Sequence, residues 1–377
     1  MRKYWQIIFA LAICFCIGCI AAAAEDGLTV HFLDVGQGDA IIVQCDGHNM
    51  MIDGGDRYSN QFIYSYLRSM ELDYFDCIIS THPHEDHIQG LATALVLCDA
   101  GIIYSPVTEY DGNGFNDLKR KAEEKNIDIV LPLDERSSFY LGNAEVTILS
   151  IPHPDWNLND QSIIVKVQYG DIRFLFMGDA EWEAEQDLIA RGMDISADVL
   201  KVGHHGSPTS TSDEFIKAVQ PTYAIISVGA NNTFGHPAKE TLMKLQRKYI
   251  SVFRTDINGT IVCTSNGQTI GFQMIKSRIK DIQKESEENN TADETEFIAD
   301  LVIDESFADP ASVGDRFFVD FSIDEDYVKY IGNKNSHVFH RLDCSSVQEM
   351  SPKNKVEFYD REEAIDMDYK PCHICQP

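Results

Sequence analysis

His82-Pro83-His84-Glu85-Asp86-His87 gathers three imidazoles and the Asp86 carboxylate within six residues, directly after an apolar run. In an extended chain alternate side chains point to opposite sides, but a bend at Pro83 lets His82 and His84 face one ion. Asp86 and His87 then face a second. Imidazole and carboxylate together suit zinc, manganese or iron. A pair of such ions draws the pKa of a shared water towards about 7, which is the chemistry of hydrolysis at neutral pH. No Ser-His-Asp or Cys-His arrangement offers a competing nucleophile.

The elements that must position this cluster are visible in the surrounding pattern. Residues 28–35, 40–44 and 49–52 are β-type runs, broken by Gly36 and Gly38 and by Asp46-Gly47, as hairpins require. A helical period over 60–70 precedes a compact strand at 76–81 that runs into the histidines. Later strands are expected at 145–150, 162–169, 172–177, 199–202, 223–227, 251–254 and 260–263. Helices are expected at 88–98, 115–125, 182–191, 212–218 and 239–248. Thr255, Asp256 and Gly259 read as the turn before the last strand. Strands alternating with helices behind an initial meander imply an α/β (α+β) fold, two mixed sheets with helices outside.

The cluster and its neighbours resemble the metallo-β-lactamase fold, and within it the extracytoplasmic hydrolase domain of bacterial competence (DNA-internalisation) proteins. The stretches that carry the resemblance are Phe32–Ala40 (FLDVGQGDA), Met51–Asp56 (MIDGGD), the histidine motif, Phe176–Ala180 (FMGDA) and Leu200–Ser207 (LKVGHHGS). Ser227-Val228-Gly229, Gly235-His236-Pro237 and Arg254-Thr255-Asp256 complete the set, from about residue 28 to 271. The resemblance implies an αββα sandwich with two metals at one edge of the sheets. His82 and His84 would hold the first ion, Asp86 and His87 the second, and Asp179 would bridge both. Of the pair His204-His205, His205 would complete the second site and His204 would contact the substrate phosphate. Catalysis would then rest on Asp86, Asp179 and His204.

Many members of this fold supply another first-site histidine from the loop before the 162–169 strand. Here that loop reads His153-Pro154-Asp155-Trp156-Asn157-Leu158-Asn159-Asp160-Gln161-Ser162. Asn159, Asp160 or His153 is the possible additional ligand, so an oxygen-richer first site makes manganese plausible beside zinc. Asp53 is expected behind the ligands, orienting histidines. Asp39 and Gln37 in the first hairpin and His236 at the lip of the site are each balanced between a local structural role and a role at the site.

A second metal pattern closes the chain. His340, Cys344, Cys372 and Cys375 make a four-ligand set suited to structural zinc, able to fold a short module without a large core. The pattern resembles the small metal-binding domain of the Ada DNA-repair methyltransferase, with His340 where that family has its first cysteine. Cys45, Cys77, Cys98 and Cys263 sit singly in apolar runs and read as buried thiols.

The ends and joints complete the organisation. Met1-Arg2-Lys3, an apolar run over 7–20 and Ala21-Ala22-Ala23-Ala24 form an export signal, a lipoprotein signal with Cys19, or an N-terminal membrane anchor. Each places the body outside the cytoplasm. Between Asp281 and Pro310 eleven acidic residues stand against one lysine, the composition of a solvated linker. The expected organisation is a leader at 1–24, a hydrolase domain at 25–276, an acidic linker at 277–316 and a metal-binding module at 317–377. A net charge of −29 excludes a scaffold that coats nucleic acid by electrostatics alone. Beyond the leader no segment is apolar enough to span a bilayer, so no transport channel is expected within these residues.

Together these readings imply an exported binuclear hydrolase carrying zinc or manganese, acting on phosphodiester bonds in DNA or short nucleic acids. A hydrolase for cell-wall phosphocholine esters or a lactam is the nearer rival. A DNA-uptake accessory that binds without turnover is the rival of another class.

Overall fold

The structure, a computed structural model, describes residues 27–132, 138–150, 153–275, 330–341, 344–348, 350–358, 361–366, 369–373 and 375. The expected leader and linker lie outside these residues. Contacts divide the chain into two units, 1–317 and 318–377.

The larger unit opens with the meander β1 (Leu28–Phe32), β2 (Ala40–Cys45) and β3 (His48–Gly54). Asp46 and Gly47 both carry positive φ, 50° and 82°, the conformation that matches the right-handed twist of a two-residue hairpin. Next come α1 (Asn60–Ser69), β4 (Tyr74–Phe75), β5 (Cys77–Ile79), α2 (Glu85–Leu97), β6 (Asp99–Ala100), β7 (Ile103–Tyr104) and α3 (Asn113–Lys125). They are followed by β8 (Ile129–Val130), β9 (Ser138–Leu141), β10 (Ala144–Ile148), β11 (Val165–Tyr169), β12 (Ile172–Phe176) and α4 (Trp182–Ala190). The last stretch holds β13 (Val199–Lys201), α5 (Asp213–Val219), β14 (Tyr223–Ile226), α6 (Lys239–Arg247) and β15 (Ser251–Arg254). It ends with the one-turn helix α7 (Thr255–Asn258), β16 (Thr260–Ser265) and β17 (Ile270–Ile275).

Two sheets result, ordered β17-β16-β1-β2-β3-β5-β7-β8 and β15-β14-β13-β12-β11-β10-β9. Period-two alternation sets the layers. Leu28, Val30 and Phe32 of β1 join Ile172, Phe174 and Phe176 of β12 in one cluster between the sheets. The opposite faces, with Ile42 and Met51 on one sheet and Leu175 and Leu200 on the other, pack against α1–α3 and α4–α6 respectively. The result is the four-layer αββα sandwich.

Strands β3, β5, β7 and β8 run parallel in one sheet, and β12 to β15 run parallel in the other. Loops leaving the carboxyl ends of parallel strands are where such sheets build sites, because successive loops emerge side by side there. Asp53 is the penultimate residue of β3, His82 follows β5, Asp179 follows β12 and His204-His205 follow β13. The chemistry-bearing residues therefore share one edge.

Several boundaries differ from expectation. Helix α2 begins at Glu85 rather than 88, so Asp86 and His87 lie in its first turn. Asp53 lies inside β3 rather than after it. Thr255 to Asn258 form a helical turn, and β16 is followed by a further strand, β17. Close packing fixes where α2 sits: a Cβ on Gly90 would lie 1.9 Å from the Gly54 carbonyl oxygen. Only glycine at that contact lets the helix reach the end of β3.

In the smaller unit β18 (Tyr330–Asn333), β19 (Val338–Arg341), β20 (Lys355–Phe358) and β21 (Lys370–Pro371) form a sheet ordered β20-β18-β19-β21, with short helices α8 (Ser345–Gln348) and α9 (Arg361–Asp366). Phe339, Phe358, Ala364 and Tyr369 make one small core there.

Candidate metal centre

The histidine motif is fixed from behind by Asp53, a fully buried carboxylate held at a positive φ of 55°. Its Oδ1 accepts from the Thr81 backbone N–H at 2.7 Å, and its Oδ2 accepts from Thr81 Oγ1 at 2.6 Å and His87 Nδ1 at 2.8 Å. With Nδ1 donating to Asp53, His87 turns Nε2 towards the site. His82 is set the same way, its Nδ1 lying 3.1 Å from Thr81 Oγ1. His205 Nδ1 donates to the Ser227 carbonyl at 2.9 Å. Hydrogen bonds at the rear nitrogen thus fix the tautomer that presents the other nitrogen, the arrangement that metal-ligating histidines use.

The forward atoms converge. One oxygen or nitrogen each from Asp86, His87, Asp179 and His205 lie within 4.8 Å of one another. Asp179 Oδ1 stands 3.3 Å from His87 Nε2 and 3.5 Å from His205 Nε2, while Asp86 Oδ2 stands 3.4 Å from His205 Nε2. The other Asp179 oxygen faces away from this group, with His82 Nε2 at 3.8 Å and His204 Nε2 at 3.7 Å. His82 Nε2 and His84 Nδ1 meet at 3.0 Å. A single carboxylate therefore looks both ways, towards two groups of nitrogens.

Three of these atoms, His87 Nε2, Asp179 Oδ1 and His205 Nε2, are buried with no hydrogen-bond partner. Orphaned buried polar atoms are costly, and orphans aimed at one point fit a cation there. The backbone agrees: His204 and His205 both hold left-handed conformations (φ 47° and 53°), a strain that non-glycine residues keep where the surroundings over-determine it.

Charge follows the same logic. Burial alone would lower His87, but Asp179, Asp86 and Asp53 hold it well above the ordinary imidazole range. Burial likewise opposes charge on His205, and Asp179, Asp39 and Asp86 overcome it. Burial would raise Asp179, but His205 and His87 hold it well below the usual carboxylate range. His82 and His84 are lowered by burial. His236 is pushed down to about 4 by burial and by His204 and His205.

The remaining expected residues separate. Asp39 is buried behind His205, its Oδ1 3.4 Å from His205 Nδ1 and its Oδ2 2.7 Å from the ammonium of Lys201. Gln37 serves the loop, its Oε1 accepting from Gly229 N–H at 3.2 Å. Asp160 turns away from the cluster: its Oδ1 accepts from the N–H groups of Glu181 and Ala184 at 2.9 and 3.2 Å, at the start of α4. A carboxylate there is satisfied by the helix N-terminus. His153 is exposed and stacks on Trp156 at 5.2 Å. Asn159 alone of the three loop candidates reaches the cluster, its Nδ2 3.4 Å from His204 Nδ1 and its Oδ1 buried without a partner. His236 stands beside His204, ring centroids 5.3 Å apart.

Thr81 and Glu181 were not singled out from the sequence, and Lys201 and Ser227 entered only as members of the motifs that carry the resemblance, without a role of their own. Glu181 Oε1 accepts from His204 Nδ1 at 2.9 Å and also from Thr209 Oγ1, so His204 too presents Nε2 to the site.

In the smaller unit, parallel pairing of β21 with β19 brings Cys372 beside His340 and Cys344, with Cys372 N–H donating to the Phe339 carbonyl at 2.9 Å. One atom each from His340, Cys344, Cys372 and Cys375 lie within 4.8 Å of one another. Arg341 N–H donates to Cys375 Sγ at 3.4 Å, a contact suited to a thiolate. This set can hold zinc.

Comparison with known proteins agrees with this architecture. Residues 33–230 match the family described as the metallo-beta-lactamase superfamily. ComE operon protein 3 of Bacillus subtilis is 31% identical over 274 residues, 66% of this chain and 34% of that protein. Competence protein ComA of Neisseria gonorrhoeae is 26% identical over 254 residues, 64% of this chain and 33% of that one. Recombination protein 2 of Haemophilus influenzae is 28% identical over 258 residues, 67% and 30% respectively. The chain spans about a third of the length of these relatives.

Proposed function

On the premise that this chain belongs to the metallo-beta-lactamase superfamily, we propose that it is an exported binuclear hydrolase of phosphodiester bonds in DNA or short nucleic acids. The observation that carries the reading is the two-faced Asp179 among orphaned nitrogens. In this reading His82 and His84 would hold a first ion, Asp86, His87 and His205 would hold a second, and Asp179 would serve both. Two divalent ions, zinc or manganese, would supply Lewis acidity and an activated water at neutral pH.

The chain's own residues orient and shield. Asp53 and Ser227 keep the His87 and His205 rings turned inward. Glu181 accepts from His204 Nδ1 and so aims Nε2 at the site, where an Nε2–H would donate to a phosphate oxygen of the substrate. Export rests on the composition of the leader, and among the described residues no helix is long and apolar enough to cross a membrane. DNA as substrate draws on the competence names of the relatives.

Incubation of the full chain with single- and double-stranded DNA, bis-p-nitrophenyl phosphate, a phosphocholine ester and nitrocefin, with zinc or manganese, tests this reading. Diester cleavage lost on Asp86→Ala supports it. Turnover confined to the choline ester or the lactam, or binding of DNA without any turnover, overturns it.

Protons and metal ions should compete at this site. His87 and His205 have folded pKa values above the ordinary unfolded value near 6.5. Their charge therefore stabilises the metal-free fold fully below about pH 6.5, and that contribution is lost as pH rises through the folded values. Metal ions require the deprotonated rings. The rise in melting temperature on adding zinc or manganese should be near zero at about pH 5.5 and several degrees at about pH 8, read by differential scanning fluorimetry.

In the smaller unit we assign His340, Cys344, Cys372 and Cys375 a structural zinc. Cys344 and Cys372 also form part of its core with Ile331, Val347 and Met350. Structural zinc supplies about 10 kcal/mol or more to such modules. Cys372→Ser should release one zinc and abolish amide-exchange protection in residues 330–375, leaving protection in residues 28–275 unchanged.

A further inference from the structure

We propose that Phe234, backed by the ring of His236, is a stacking platform for an unpaired nucleobase next to the scissile diester. The inference rests on the phosphodiesterase reading above and deepens it to a substrate subsite. Phe234 lies in the loop between β14 and α6, and its side chain is 67% exposed. Its ring stacks on His236 at 5.9 Å and an interplanar angle of 27°. His236 meets His204 edge-on at 5.3 Å, and His204 Nε2 lies 3.7 Å from Asp179 Oδ2. A continuous aromatic series thus runs from solvent to the centre.

The loop is braced to hold that phenyl outward. The Asn232 side chain donates to the carbonyls of Gly229 and His236 at 3.0 and 2.5 Å, and accepts from the N–H groups of Phe234 and His236, both at 3.1 Å. Gln37 ties the base of the loop to the first hairpin through Gly229 N–H. Four hydrogen bonds to the Asn232 side chain brace the loop backbone that carries the exposed Phe234 ring.

The charge of the chain narrows the ligand. At −29 the surface offers little electrostatic attraction to a polyphosphate. Stacking on a neutral ring needs no charge and tolerates any base, because each base has a π-face. It does require an unstacked base, so the platform favours single strands and frayed ends over intact duplex.

The test compares thymidine 5′-(p-nitrophenyl phosphate) with methyl p-nitrophenyl phosphate, which lacks a base. Phe234→Ala should raise KM for the thymidine ester about tenfold, with kcat changed less than twofold and the methyl ester unaffected. Phe234→Trp should retain the wild-type KM. In parallel, quenching of 2-aminopurine in a short single-stranded oligonucleotide reads binding without turnover, and Phe234→Ala should weaken it about tenfold. Equal effects of Phe234→Ala on both esters, or none on either ester and none on quenching, would overturn the platform. If neither ester is hydrolysed by the wild type, the phosphodiesterase reading fails, and the quenching result alone decides the platform. The side chain is exposed, so the melting temperature should not move.

Discussion

Asp179→Ala should lower diester turnover by at least about a thousandfold and leave the larger unit unable to hold two ions. One carboxylate serves both nitrogen groups, Oδ1 towards His87 and His205 and Oδ2 towards His82 and His204. Its removal takes a ligand from each site at once, and a thousandfold corresponds to about 4 kcal/mol of transition-state stabilisation. The fold should survive. Asp179 is held through its backbone N–H, which donates to Ser162 Oγ at 3.1 Å, and through Gly178 at a φ of 54°; the substitution touches neither. Without the carboxylate, His87 and His205 lose their strongest charged partner, so their protons should be released at lower pH in the variant. Elemental analysis together with kcat/KM checks both halves. A variant that keeps two ions and turns over within tenfold of wild type would show that Asp179 does not bridge.

Lys201→Met should destabilise the metal-free fold by about 3–5 kcal/mol, the usual effect of stripping one partner from a buried ion pair. Lys201 and Asp39 are both about 1% exposed, and their charged atoms are 2.7 Å apart. Burial alone would raise Asp39, but Lys201, with His205 adding to it, keeps the carboxylate charged. The pair is also locked in place: Asp39 N–H donates to the Asp86 carbonyl at 3.2 Å, and Gly55 N–H donates to the Asp39 carbonyl at 2.7 Å. The double variant Asp39→Asn, Lys201→Met removes both charges and should recover most of the lost stability. It should not recover metal affinity, because Asp39 Oδ1 lies 3.4 Å from the rear nitrogen of His205 and steadies that ring. Partners behind ligands commonly account for 10–100-fold in metal affinity. Urea denaturation and metal titration of the three proteins separate the two effects. A single variant within about 1 kcal/mol of wild type would show that the pair is dispensable.

How far the sequence carried depended on distance along the chain. The histidine motif is local, so its chemistry could be read directly, and the Asp46-Gly47 hairpin and the longer strands were likewise local signals. The start of α2 was not, because its N-cap is His84, which makes no side-chain capping bond and is not a residue type that announces a helix. Two-residue strands such as β7 and β8 are too short to show a period. Asp160 beside Asn159 read as a possible ligand, yet the first turn of α4 supplies two N–H groups that satisfy it. The ion pair of Asp39 and Lys201 was hidden for a different reason. Each residue has an ordinary local reading, a turn acid and a strand lysine, and only the packing of two sheets brings them together.

Metal stoichiometry of the reloaded chain tests the central claim most directly. The full chain carrying Cys372→Ser, which removes the zinc of the smaller unit, would be stripped with chelator, refilled with manganese or zinc and assayed by elemental analysis. The convergence of His82, His84, Asp86, His87, Asp179 and His205 predicts two ions per chain. Less than one ion per folded chain after reloading would contradict it.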